Sequence, residues 1–196
     1  MKMNNFLDRI MEKLLKGGFV QPENADIVRY GLELATMRAL ISTAVVIVAF
    51  LFDSAPAVIA FMAIYQPLRS CCGGYHAKTR SVCFISSIIL LIAVIIAVKF
   101  LAGTLCLISS LCFIVLGIVA IFGYAPVDTA SKPFDDTERI VFRKRSLIAS
   151  MISVIVADIF MFLELYSLLL AVSMAIFFTG MLLVIGRVSN KKGAIA

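Results

Sequence analysis

The sequence predicts an all-α integral membrane protein, a six-span helical bundle preceded by an N-terminal amphipathic helix that lies in the membrane interface. Three observations predict it. Hydrophobic residues fill 62% of the 196 positions and mean hydropathy is +1.04, whereas soluble globular chains hold about 45–50% apolar residues. So short a chain cannot bury that much apolar surface in its own core, and lipid must solvate much of it. The apolar residues are also gathered into six runs, near 36–52, 55–68, 83–98, 101–123, 147–163 and 165–186. Most of these reach the roughly 17–25 residues that a crossing helix needs. Finally, the cations alternate with the runs. Six Lys and Arg fall in residues 1–38, three in 69–80, five in 124–146 and three after 186, while the opposite turns hold only Lys99. By the positive-inside rule both termini and the two longer loops face the cytoplasm.

Residues 1–22 form the first element. Phe6, Leu7, Ile10, Met11, Leu14 and Leu15 recur at helical spacing, and Asp8, Arg9, Glu12, Lys13 and Lys16 fill the other face. This pattern predicts an interfacial helix, ended by Gly17-Gly18. Acidic residues interrupt the segment and it lacks an apolar h-region, so no cleavable signal peptide is expected. Pro22 and Asn24 then introduce a second helix, which starts amphipathically at Ile27, Tyr30 and Leu34 and runs into the first span. The second span, within SAPAVIAFMAIYQPL, is short and bounded by prolines. The remaining four spans follow without an internal repeat or a soluble insertion, so residues 1–196 read as a single membrane domain.

The chemistry of the chain is concentrated between the second and third spans, in RSCCGGYHAKTRSVCF, residues 69–84. This segment holds the one histidine, His76, three of the five cysteines and three cations. Cysteine catalysis needs a thiolate and an adjacent imidazole that holds it and later protonates the leaving group. Cys83 at the start of the third span has the positive end of a helix and the cations Lys78 and Arg80 nearby, and both favour thiolate. On one straight helix His76 and Cys83 would lie about 10.5 Å apart along the axis, at 1.5 Å per residue. The pair therefore works only if His76 sits on a segment that folds back, and Gly73-Gly74 supplies the permissive turn.

Other readings of these residues stand beside this one. His76 and Cys83 can be interfacial packing residues, and Cys71 and Cys72 can be acylated or inert. A zinc site lacks the usual Cys-x₂₋₄-Cys spacing, and one histidine is too few for an H-E-x-x-H protease. A non-enzymatic transporter or a sensor with a redox-active loop is the rival class. It would require ionisable residues at mid-membrane, where the spans offer only Asp158. No metal, cofactor or nucleic acid is implied, and Cys106 and Cys112 lie deep in an apolar run.

Arg69, Gly73, Gly74, His76, Ala77 and Cys83, as R-x₃-GG-x-HA-x₆-C, closely resemble the signature of the accessory gene regulator B (AgrB) proteins. YAPVDTASKP, Tyr124–Pro133, is similar to that family's Y-A-P-x₂-T-x₃-P loop. The resemblance covers nearly the whole chain and implies a membrane cysteine endopeptidase of a bacterial plasma membrane. Cys83 would be the nucleophile, His76 its base and acid, and Arg69, Gly73 and Gly74 would shape the site. Ser86 and Gln66 are polar candidates to orient His76 or form an oxyanion hole. Lys78, Arg80, Lys132 and Arg143 are candidates to contact a substrate tail. The implied partner is a small quorum-sensing precursor peptide (AgrD-like) with an amphipathic helix and an acidic tail. It would be cut through a thioester acyl-enzyme and closed to a thiolactone. Membrane lipid and a second copy of the chain are the other partners considered.

Overall fold

The computed structural model describes the backbone of residues 2–73, 80–127 and 135–193, with side chains at most of them. These residues form seven α-helices and one 3₁₀ turn, with no strand among the described residues. Each of the six apolar runs falls on one helix, to within two residues at either end. Among the described residues three helices are long and apolar enough to cross a membrane, Gly103–Tyr124, Thr137–Phe162 and Tyr166–Val188, and Ser42–Leu51 and Ile85–Phe100 are shorter apolar helices.

The chain divides into two compact units, with the boundary after Val45. In the first, α1 (Lys2–Lys16) has Leu7 and Met11 buried and Asp8, Arg9, Glu12 and Lys13 exposed. It ends in a glycine cap. Gly18 has a φ of 70°, the Gly18 N–H donates to the Leu15 carbonyl and the Phe19 N–H to the Leu14 carbonyl. These two bonds satisfy carbonyls that the last turn of a helix otherwise leaves open. Asp8 and Arg29 pair at 2.7 Å, across the 3₁₀ turn Pro22–Asn24 that leads into α2 (Ala25–Leu51).

The second unit holds the end of α2 and the helices α3 (Ala55–Cys72), α4 (Arg80–Phe100), α5 (Gly103–Tyr124), α6 (Asp136–Phe162) and α7 (Tyr166–Gly193). Helix α7 is its axis, packing on α3, α4, α5 and α6. Over Leu169–Ile176 every residue of α7 is buried. The α5–α7 contact is the most extensive. A Cβ built on Gly117 would stand 2.7 Å from the carbonyl carbon of Ile176, and one built on Gly180 would stand 2.9 Å from the Gly117 oxygen. Without an aqueous driving force between spans, such small residues allow the backbone approach on which dispersion depends. Phe113 and Phe177 continue the α5–α7 seam at 4.9 Å, and Phe61 of α3 meets Phe178 edge-on at 6.2 Å. Buried hydroxyls on these helices bond backward within their own helix, Ser110 to Cys106, Ser173 to Leu169 and Thr179 to Ala175. That is how a polar group is satisfied where water is absent.

Helix α6 starts at Asp136, well before its apolar run at 147–163. The second half of the expected 124–146 loop is therefore helical, and α6 carries Arg139, Arg143, Lys144 and Arg145 on its first turns.

Candidate active site

The site region begins on the last turn of α3. A helix leaves its final carbonyls without intrahelical donors, and here three consecutive ones are taken from outside the α-helical ladder. The Ser146 hydroxyl of α6 donates to the Cys71 oxygen at 2.9 Å, the Val127 N–H to the Cys72 oxygen at 3.1 Å, and Arg69 Nη1 to the Gly73 oxygen at 2.8 Å. Gly73 ends the helix with a φ of 71° and a ψ of −138°, a conformation open in practice to glycine alone. It forms an isolated parallel bridge with Val127. A Cβ on Gly73 would stand 2.5 Å from the Val127 oxygen, so glycine is required twice over, for its φ and for its size.

Val127 belongs to the second motif. Tyr124 closes α5, Ala125 leaves it in an extended conformation, the chain bends at Pro126, and Val127 reaches the end of α3. Ala125 and Val127 are buried, in one cluster with Leu68, Cys72 and Ile121. The Arg143 Nη1 of α6 donates to the Ala125 oxygen at 3.1 Å, and the Arg187 guanidinium of α7 stacks on the Tyr124 ring at 5.1 Å. The two motifs, far apart in sequence, thus meet at Gly73 and Val127 and are tied to the start of α6.

The candidate residues distribute unevenly around this junction. Arg69 and Gly73 are part of it. Gly74, His76, Lys78 and Lys132 lie outside the described residues, as do the side chains of Arg80 and Cys83; Cys83 falls on the first turn of α4. Ser86 is exposed on the next turn. Gln66 is exposed on α3, beside a shallow apolar groove of about 560 Å³ lined with Ile59, Met62 and Pro67. Arg143 is engaged with the backbone of the second motif. No cluster of metal-binding side chains occurs among the described residues.

Cys72 differs from what a reactive thiol needs. Cys72, past the apolar run 55–68, is fully buried, and burial pushes its thiol up to about 11, with a hydrogen bond to Ser146 offsetting part of the effect. Its environment favours the neutral thiol and suits packing. Cys106 is buried on α5 and donates to the Tyr166 oxygen at 3.4 Å, while Cys112 is exposed. Val127, Ser146 and Cys72 are the residues of the junction that the motifs do not single out. The only sequence signal for them is proximity, Val127 following Y-A-P and Cys72 preceding Gly-Gly.

The family profile described as accessory gene regulator B matches residues 7–185. An AgrB-like protein of Clostridium perfringens strain SM101 is 29% identical over 174 residues, 86% of this chain and 78% of its own length. A second AgrB-like protein, of C. perfringens strain 13, is 28% identical over the same shares. Protein FsrB of Enterococcus faecalis is 36% identical over 81 residues, 41% of this chain and 34% of its own. No solved structure matches the chain.

Proposed function

Because the chain belongs to the accessory gene regulator B family, we propose that it is a membrane cysteine endopeptidase that processes a small quorum-sensing precursor peptide. The observation that carries this reading is the union of the two motif segments at Gly73 and Val127. His76 is tethered to that anchor by three peptide units, and Cys83 stands on the first turn of the helix that follows. A histidine that leaves from a fixed point and a thiol at a helix N-terminus is the arrangement a fold-back pair needs.

In this reading His76 takes the Cys83 proton, and Sγ attacks the carbonyl carbon of the scissile peptide. The C–N bond breaks as the imidazolium returns the proton to the departing amine, and the acidic C-terminal tail leaves. The remainder is held as a thioester on Cys83. An internal cysteine of the precursor then attacks that thioester, giving its proton to His76, and the peptide departs as a thiolactone. Exchange of one thioester for another nearly conserves the acyl group's free energy, which a serine ester would not. A water-poor membrane site limits competing hydrolysis.

The exposed apolar faces of α4, α5 and α6, with Ile89, Val119 and Ile155 among them, suit a bundle in lipid. A six-span chain with both termini cytoplasmic places Gly73 and Val127 on the inner side, where the acidic tail would meet Arg139, Lys144 and Arg145. The polar and apolar faces of α1 fit an interfacial helix that would share its surface with an amphipathic precursor.

Co-expression with such a precursor, followed by mass spectrometry, tests the reading. Cys83→Ala and His76→Ala should each remain folded and release no tail. Full cleavage by Cys83→Ala would overturn the assignment.

A further inference from the structure

The start of α6 does something the peptidase reading does not require of it. Ser146 and Arg143 lie one turn apart along α6, and each reaches a different motif. The Ser146 hydroxyl bonds the Cys71 oxygen at 2.9 Å while also bonding Phe142 in its own helix at 2.8 Å. The Arg143 guanidinium bonds the Ala125 oxygen at 3.1 Å. Ser146 is fully buried, and removing its hydroxyl takes away the side-chain donor that links α6 to the Cys71 carbonyl. The two acceptors are backbone oxygens, which fixes the positions of two chain segments rather than of two side chains. Those segments touch each other at Gly73 and Val127.

We propose that Ser146 and Arg143 are positioning residues. From one face of α6 they hold the end of α3 and the Ala125–Val127 segment in a single register. In doing so they set the anchor from which the chain departs toward His76. This rests on the peptidase reading above and adds residues to it. It also gives Arg143 a role distinct from binding the acidic tail. A tail contact acts through charge and is felt in KM, whereas a positioning contact acts through the reacting pair and is felt in kcat. Displacement of reacting groups by about 1 Å can cost up to about a hundredfold in rate.

The test uses the purified full-length chain in nanodiscs, on the monodisperse fraction, with two synthetic precursors. One has its acidic tail; in the other the tail carboxylates are replaced by amides. Ser146→Ala and Arg143→Met should each lower kcat about tenfold or more, equally for both precursors and with little change in KM. The pH midpoint for alkylation of Cys83 by iodoacetamide, read peptide by peptide, should rise in both variants toward that of an ordinary thiol. Arg143→Lys, which keeps a donor, should recover much of the rate. A KM defect confined to the acidic precursor would make Arg143 a tail contact and overturn the proposal. So would wild-type kcat and an unmoved midpoint. If Ser146→Ala is not recovered folded, Arg143→Met on the exposed flank of α6 decides alone. Cleavage that survives Cys83→Ala would remove the peptidase reading itself, while wild-type behaviour of these variants in a Cys83-dependent enzyme removes only this inference.

Discussion

Gly117 and Gly73 each admit a neighbouring backbone where a methyl group would not fit, and the two contacts are otherwise unlike. At Gly117 the intruder is α7 at Ile176 and Phe177. Both partners there are regular helices with their N–H and C=O groups already paired within themselves, so the contact rests on close packing. At Gly73 the intruder is Val127, the φ is positive, hydrogen bonds from Ser146 and Val127 cross between segments, and Arg69 holds the Gly73 carbonyl from within α3. Packing of the first kind is cumulative and spread along a seam. The second kind is directional, and it can be dismantled one donor at a time. A bundle core suits the former, and a junction that would aim the segment proposed to carry His76 into the site suits the latter.

The largest effect should come from breaking the seam. In Gly117→Val the new side chain meets backbone atoms at less than 3 Å, which cannot move aside without shifting α7. Overpacking of this kind costs about 3 kcal/mol, and α7 is the axis on which four helices pack. Thermal unfolding in detergent should drop sharply, and precursor cleavage should fall only in proportion to the folded fraction. A variant that melts as wild type would show that the α5–α7 approach contributes little.

The seam and the junction were also unequally visible beforehand. Apolar runs located helices α2 to α7, three of which are long and apolar enough among the described residues to cross a membrane, because hydropathy marks surface that avoids water. It does not report which span is central, since a face against lipid and a face against another helix are equally apolar. Nothing in the Tyr166–Val188 run marks α7 as the axis. The first turns of α6, DTERIVFRKRS, read as loop for the complementary reason: their helix is built on backbone hydrogen bonds that hydropathy cannot see. Within the site, the spacing of Arg69, Gly73, His76 and Cys83 was legible. The approach of Val127 to Gly73 was not, because a helix cap and a single residue meeting across a long stretch of chain leave no periodicity.

A smaller stability effect with a larger functional one should follow from Gly73→Ala. Holding alanine at a φ of 71° and ψ of −138° costs about 1–3 kcal/mol, and relief of the contact with the Val127 oxygen must displace either the end of α3 or the second motif. The melting temperature should fall less than in Gly117→Val. Tail release should nevertheless be lost in protein that is still folded, as measured by cleavage per folded molecule after gel filtration. Equal losses of stability and activity in the two variants would erase the distinction drawn between seam and junction.

The smallest effect concerns Cys72, whose thiol lies inside the junction between Ser146 and the buried cluster. Its ionisation is pushed up to about 11 from an ordinary value of 9.0, chiefly by burial. The folded protein therefore holds this proton more tightly than the unfolded chain does. The stability it contributes is complete below pH 9 and is lost as pH rises toward about 11. At pH 8 the Cys72 peptide should stay unmodified by iodoacetamide over times that label the same peptide in denatured protein, and Cys72→Ala should flatten the decline in stability between pH 9 and 11. Labelling of Cys72 at pH 8 at the rate of an exposed thiol would mean that the junction opens readily. The contacts that hold the Gly73 anchor would then be too loose for the positioning proposed above, and the contrast with the closed seam at Gly117 would sharpen into a difference in dynamics as well as in chemistry.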